Sequence, residues 1–218
     1  KGTIQSNDKL TVDLGNKNID INFTNGSKMS SQGTMTIKTG GAITNESKLQ
    51  NFGSLDFTAG KDITNKGMIV SNGDIKLKGQ NILNETGTSI WAARTLVIEA
   101  VEKIWNKLKS TIESKGDMTL TAGHLLNEAG SIKTSGNLVI NANQVENKSA
   151  YTGSGFKEVE TWVGSAFAQE YKGVAGLILE HHVDITMPIY ESDLRVTDKA
   201  TIASGGNLTI NGKNGSQT

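Results

Sequence analysis

Gly53-Ser54-Leu55-Asp56-Phe57-Thr58-Ala59-Gly60 alternates apolar and polar residues. Lys61-Asp62-Ile63-Thr64-Asn65-Lys66-Gly67 follows, and Met68-Ile69-Val70-Ser71-Asn72 closes the unit before Gly73 begins it again. A period of two is what a strand needs to bury one face. The clusters of Gly, Asn, Asp and Lys between the apolar pairs are turn chemistry. The stretch therefore predicts three short strands in one coil of about twenty residues. A coil of that size cannot bury its few apolar side chains alone, so coils must stack.

The same unit recurs on both sides. A Gly-x-apolar-x-apolar series reads Met35/Ile37, Leu55/Phe57, Ile75/Leu77, Leu96/Ile98, Met118/Leu120 and Leu138/Ile140. A second series, about ten residues further along each unit, consists of Asn45, Asn65, Asn84, Asn106, Asn127 and Asn147, at intervals of 20, 19, 22, 21 and 20 residues. Two superposed series with one period mark a repeat architecture. The fold expected is all-β: a right-handed parallel β-helix (β-solenoid) of six to eight coils, the hand being the usual one for parallel crossovers. Stacked Asn amides can bond one another along the axis as ladders do in cross-β assemblies. The plainer alternative is that Asn is simply frequent at turns.

At the amino end the pattern is looser. Leu10/Val12 precedes Met35/Ile37 by 25 residues, and Asn18 to Phe23 alternates as an extra strand pair. At the carboxyl end Leu208/Ile210 follows Leu138/Ile140 by 70 residues, one coil plus about fifty, so something is inserted. The organisation read is β-helix coils over 1–150, an extra-helical aromatic-rich insertion over 151–199, and a resumed coil over 200–218.

The insertion holds Tyr151, Phe156, Trp162, Phe167, Tyr171 and Tyr190, six of the eleven aromatic residues, and the only proline, Pro188. Val159, Trp162, Val163, Ala166, Phe167, Tyr171, Val174 and Ile178 recur at three- and four-residue steps, a helical apolar face. Gly164, Gly173 and Gly176 oppose a stable helix, and Val183 to Ile189 alternates like a strand. Mixed helix and hairpin is the expectation. Aromatic residues dominate binding hot spots, so these six are candidate partner contacts. Cover for the side or end of the solenoid is the alternative.

Composition narrows the function classes. Twenty-two basic residues balance twenty-two acidic ones, and Arg94 and Arg195 are the only arginines, which is not the basic footprint of a nucleic-acid binder. Twenty-five glycines without a collagen period suit many turns between short strands. Cysteine is absent, so disulfide frameworks and thiolate metal sites are excluded. The longest apolar stretch, Trp162 to Leu179, is broken by Gln169, Glu170 and Lys172 and is a poor membrane span. The chain opens mid-pattern at Lys1-Gly2-Thr3 and reads as a piece of a longer protein, so a missing targeting signal carries little weight.

Parallel β-helices also host polysaccharide lyases and hydrolases, which need convergent carboxylates. Asp56, Asp62, Asp74, Asp117 and Glu128 fall at differing coil positions and read as solvated turn residues. His181-His182-Val183-Asp184 puts His182 and Asp184 on one strand face, but a third ligand is not evident. His124 reads as a turn residue. Neither a nucleophile elbow nor a phosphate loop is present. No catalytic, metal or cofactor site is expected, and the chain is not expected to be an enzyme.

Lys115-Gly-Asp-Met-Thr-Leu-Thr-Ala-Gly123, Ser135-Gly-Asn-Leu-Val-Ile140 and Ser204-Gly-Gly-Asn-Leu-Thr-Ile210 resemble the hemagglutinin repeats of the filamentous hemagglutinin family of two-partner secreted proteins, which includes contact-dependent growth-inhibition effectors. The run Leu126-Asn-Glu-Ala-Gly-Ser-Ile132 and its relatives at 83–90 and 64–70 resemble the second half of that repeat. The resemblance covers residues 33–150 and 200–218. It implies export through the outer membrane by a dedicated two-partner-secretion transporter and display at the bacterial cell surface as a filament. That filament serves adhesion through an unknown cell-surface receptor, protein or glycan, or carries a toxin to a neighbouring cell. Extra-helical breaks occur in the family, and 151–199 is similar to such a break. The secretion domain and any toxin-like segment are not seen. The alternatives left open are a carbohydrate-active β-helix enzyme and a stand-alone carbohydrate-binding module.

Overall fold

The computed structural model describes residues 2–153, 155–171, 178–192 and 194–212. They form two compact units, Lys1–Ala150 with Asp198–Thr218, and Tyr151–Thr197. The first is an all-β parallel solenoid of about seven coils. Each coil lays one strand on each of three faces, in register with its neighbours.

On the first face Leu10, Met35, Leu55, Ile75, Leu96, Met118, Leu138 and Leu208 stack in one inward column. Val12, Ile37, Phe57, Leu77, Ile98, Leu120, Ile140 and Ile210 make the next. On the second face Ile21, Ile43, Ile63, Ile82, Ile104, Leu125 and Val145 align. On the third face Leu49, Ile69, Ile90, Ile112, Ile132 and Ile202 align. Burial follows the alternation of each strand, as in the buried-intermediate-buried pattern of Leu55–Ala59. The columns join into one continuous aliphatic core, and near its amino end Phe23 and Phe57 stack with ring centroids 6.1 Å apart.

Where the first face turns into the second, the inward residue is small. Thr39, Ala59, Gly79, Ala100, Ala122 and Ala142 occupy this corner in successive coils, all buried. A larger side chain has no room on the inside of the bend. From Ile75 onward the two faces run as one bent strand, with the register shifting between Gly79 and Asn81 and between Glu99 and Lys103. Such a shift turns a strand without ending it.

The second unit contains an antiparallel ribbon, Phe156–Tyr171 paired with Ile178–Ser192, from Phe156 opposite Ser192 to Tyr171 opposite Ile178. This corrects the expectation of mixed helix and hairpin: the hairpin is present, and the helical part is a strand. Residues between Val159 and Tyr171 repeat at three- and four-residue steps, yet they pair across the ribbon with Ile178 to Ile189. Long-range pairing overrides a helical period already weakened by glycine. Gly173, Val174 and Gly176 lie outside the described residues. Pro188 pairs with Thr161 in a ribbon whose strands are both edges, where a missing N–H is tolerated.

Candidate functional site

At the end of the second face the inward position changes from aliphatic to amide. Asn45 donates from Nδ2 to Asn65 Oδ1 at 2.8 Å, and the pattern continues Asn65 to Asn84 at 2.8 Å, Asn84 to Asn106 at 2.8 Å, Asn106 to Asn127 at 2.8 Å and Asn127 to Asn147 at 2.7 Å. The second Nδ2 proton reaches a backbone carbonyl across the corner, for example Met68 O at 3.0 Å, Ser89 O at 3.1 Å and Thr111 O at 3.1 Å. The Oδ1 atoms of Asn45, Asn65, Asn84 and Asn106 also receive a local donor, from Ser47 N, Gly67 N, Thr88 Oγ1 and Ser110 Oγ respectively. An amide has two donors and a twice-accepting oxygen, which suits a corner where buried backbone groups have no strand partner. Asn45 to Asn127 are buried, whereas Asn147, the last in the column, is exposed.

Sequence reading missed two further columns. The inner corner of the third face carries Ser31, Ser71, Ser114, Thr134 and Ser204, whose hydroxyls donate to glycine carbonyls. Ser71 reaches Gly53 O at 2.6 Å, Ser114 reaches Gly116 O at 3.0 Å and Ser204 reaches Gly136 O at 2.9 Å. The signal was a Ser or Thr two residues before Gly33, Gly73, Gly116, Gly136 and Gly206, with Asn51 in that place before Gly53. The other column lies outside, one residue after each ladder asparagine: Glu46, Lys66, Glu85, Lys107, Glu128 and Lys148 alternate strictly in charge. Lys66 lies 3.5 Å from Glu46 and Lys107 lies 2.8 Å from Glu85. Trp105 stands beside this column, with Lys103 and Lys107 at 4.2 and 4.3 Å from its ring and its Nε1–H donating to Glu128 at 3.0 Å.

The scattered carboxylates bond separately to their own surroundings. Asp62 Oδ1 accepts Asn81 N at 3.1 Å, Asp74 Oδ1 accepts Thr95 N at 3.0 Å and Asp117 Oδ1 accepts Asn137 N at 2.7 Å. Each caps the backbone of the following coil. Asp56 lies on the outer side of the first face between Thr36 and Lys76, and Glu128 binds the Trp105 indole. His124 Nε2 is 3.0 Å from Glu146, so it faces an acid. The Glu146 carboxyl is held below its ordinary value, first by its hydrogen bond from Lys148 and further by the charges of Lys148 and His124, against a smaller opposing effect of burial. Among the described residues no group of three His, Cys, Asp or Glu could hold a metal ion. His181, His182 and Asp184 have strand backbones in the ribbon, and their side chains lie outside the described residues.

Of the six candidate partner contacts, Tyr151, Phe156 and Tyr190 are exposed, Phe156 at 75%. The backbones of Trp162, Phe167 and Tyr171 lie in the first ribbon strand, and their side chains lie outside the described residues. Val163, Met187 and Ile189 add exposed apolar surface.

No helix among the described residues is long and apolar enough to cross a membrane. No curated protein and no solved structure matches the chain. The family model of the haemagglutinin repeat matches residues 1–98, 108–161 and 182–217. The residues left unmatched between these segments are 99–107, most of them in the strand Leu96–Asn106, and 162–181. With most of its length matched and its coils stacked in register, the chain belongs to the haemagglutinin repeat family.

Proposed function

We propose that this chain is one stretch of a surface filament whose ribbon, residues 151–197, is the element offered to a partner on another cell. The haemagglutinin repeat and the β-solenoid fit a structural filament segment of a secreted adhesin. The observation that carries the finer reading is the break in an otherwise regular stack. Ile132 pairs directly with Ile202, so seventy residues are passed over where twenty would close a coil. The passage leads into a ribbon with Phe156, Val163, Met187 and Tyr190 exposed. Exposed aromatic and apolar groups of this kind mark interaction surfaces.

The mechanism is mechanical. Stacked coils supply length and stiffness, and the ribbon supplies the contact. Export would use an outer-membrane two-partner-secretion transporter, with the receptor a surface protein or glycan. Carriage of a toxin to a neighbouring cell would use the same parts.

Ala200 N–H donates to Ser149 Oγ at 3.1 Å, so the ends flanking the insertion are adjacent and a short Gly-Ser link can replace 151–197. The shortened protein is expected to keep its β circular dichroism spectrum and lose binding to target cells. Unchanged cell binding by a folded deletion protein would remove the ribbon from the reading and leave the scaffold.

A further inference from the structure

Four asparagines are followed directly by glycine: Asn25, Asn72, Asn211 and Asn214. Such a pair carries its own chemistry. With no β-carbon on the second residue, its backbone nitrogen can reach the asparagine side-chain carbonyl and close a five-membered ring. In a folded chain the closure depends on how firmly the glycine nitrogen is held. The fold holds these pairs very differently.

Asn72 and Gly73 are clamped between coils. Asn72 N–H donates to Asn51 O at 3.1 Å, Gly73 N–H donates to Ser71 Oγ at 3.1 Å, and Gly73 O accepts Arg94 N–H at 3.3 Å. Gly73 is buried, and a β-carbon on it would lie 2.8 Å from Ser54 N. Its nitrogen cannot travel to the Asn72 side chain without opening the stack. Asn211 is the last residue of the strand Leu208–Asn211, and its Nδ2 donates to Asn141 Oδ1 at 2.9 Å. Asn214 lies outside the described residues.

Asn25 and Gly26 are held by nothing but the chain. They form the middle of a turn closed by Ser27 N–H and Ser27 Oγ, which donate to Thr24 O at 2.9 and 2.7 Å. Gly26 has φ +79°, the left-handed conformation that glycine supplies at the third place of a turn. Both residues are exposed. Among the described residues neither makes a hydrogen bond, so the attacking nitrogen and the amide it would attack are both uncommitted.

We infer that Asn25 is a site of spontaneous deamidation, from which the coil stack protects Asn72. The Gly26 nitrogen attacks the Asn25 side-chain carbonyl carbon. A C–N bond forms, and the bond from that carbon to Nδ2 breaks as ammonia leaves with the Gly26 proton. Water then opens the succinimide at either carbonyl, giving aspartate or isoaspartate. A neutral turn gains a carboxylate. In the isoaspartate form the main chain also runs through the former side chain, just ahead of the strand Lys28–Ser31.

The test is incubation of the full 218-residue chain in mildly alkaline buffer, with aliquots digested and mapped by mass spectrometry. The native protein is expected to gain one mass unit in the peptide holding Asn25, roughly tenfold or more faster than at Asn72 and faster than at Asn211. Fragmentation of that peptide should show isoaspartate beside aspartate. In strong urea no coil holds either glycine, and the Asn25 and Asn72 rates should converge. The inference is overturned if Asn25 keeps its amide in the native chain, or if Asn72 or Asn211 reacts as fast. It is also overturned if the native difference persists undiminished in urea, since local sequence and not the stack would then set it.

Discussion

Asn84 Nδ2 donates to Asn106 Oδ1 in the next coil at 2.8 Å, and both residues are fully buried. The bond is one rung of a column whose members each serve two neighbours. Removing Asn84 leaves one Asn65 amide proton below without its acceptor. It also takes one partner each from the Asn106 oxygen above and the Thr88 hydroxyl beside it, both of which keep another.

Each buried polar group left without a partner costs about 1–3 kcal/mol. Asn84→Ala should therefore lower unfolding stability by roughly 1–3 kcal/mol in urea titration. Asn84→Asp, almost the same shape, should be no milder, because it sets oxygen against Asn106 Oδ1 and buries a charge. Asn147→Ala, at the exposed end of the column, should cost less than either. Equal losses at 84 and 147 would contradict the rung description.

The pair Glu85 and Lys107, 2.8 Å apart, belongs to an alternating column rather than standing alone. An isolated pair would survive exchange of its partners. In this column Glu85→Lys/Lys107→Glu puts lysine beside Lys66 and glutamate beside Glu128. Lys107→Glu alone should cost about 0.5–1 kcal/mol, and the exchanged double variant should not recover it. A double-mutant cycle at low and high salt measures both, and full recovery would show that only the pair matters.

A β-carbon at Gly53 would lie 2.2 Å from the Gly33 carbonyl oxygen, backbone that cannot move aside. At Gly87 nothing lies within 4 Å, but φ is +73°. Gly87→Ala should cost about 1–2 kcal/mol from the left-handed conformation alone. Gly53→Ala should cost clearly more, because a coil must shift to relieve the overlap. Thermal melting of the two variants ranks them, and the reverse order would be inconsistent with the stack.

Glu146 has its carboxyl pKa lowered mainly by Lys148. A carboxyl lowered in the folded state favours folding above its unfolded pKa, and the contribution disappears as pH falls through the folded value. Lys148→Gln should move the Glu146 titration upward toward the ordinary carboxylate range, followed by NMR of its side-chain carbon. The loss of stability that Glu146 contributes on acidification should then be smaller than in the parent, because its folded and unfolded pKa values lie closer together. An unmoved Glu146 titration would mean that Lys148 is not its principal partner.

The sequence by itself determined the coil, its three strands and the inward residues, because strand alternation and turn residues are local and recur every twenty positions. It also located the asparagine series and the break after Asn147. Only the tertiary structure decided how those asparagines bond, since the direction of an amide column depends on which coil lies above which. The same holds for the charge of Lys107 between Glu85 and Glu128, legible as a column only once the stacking register is known. The stretch from Val159 to Tyr171 shows the limit most plainly. Its local period pointed to helix, and antiparallel pairing with the strand Ile178–Ser192 made it ribbon. The bond from Ser31 N–H to the buried Asn51 Oδ1 was equally invisible, because it is a fact about two coils and not about either one.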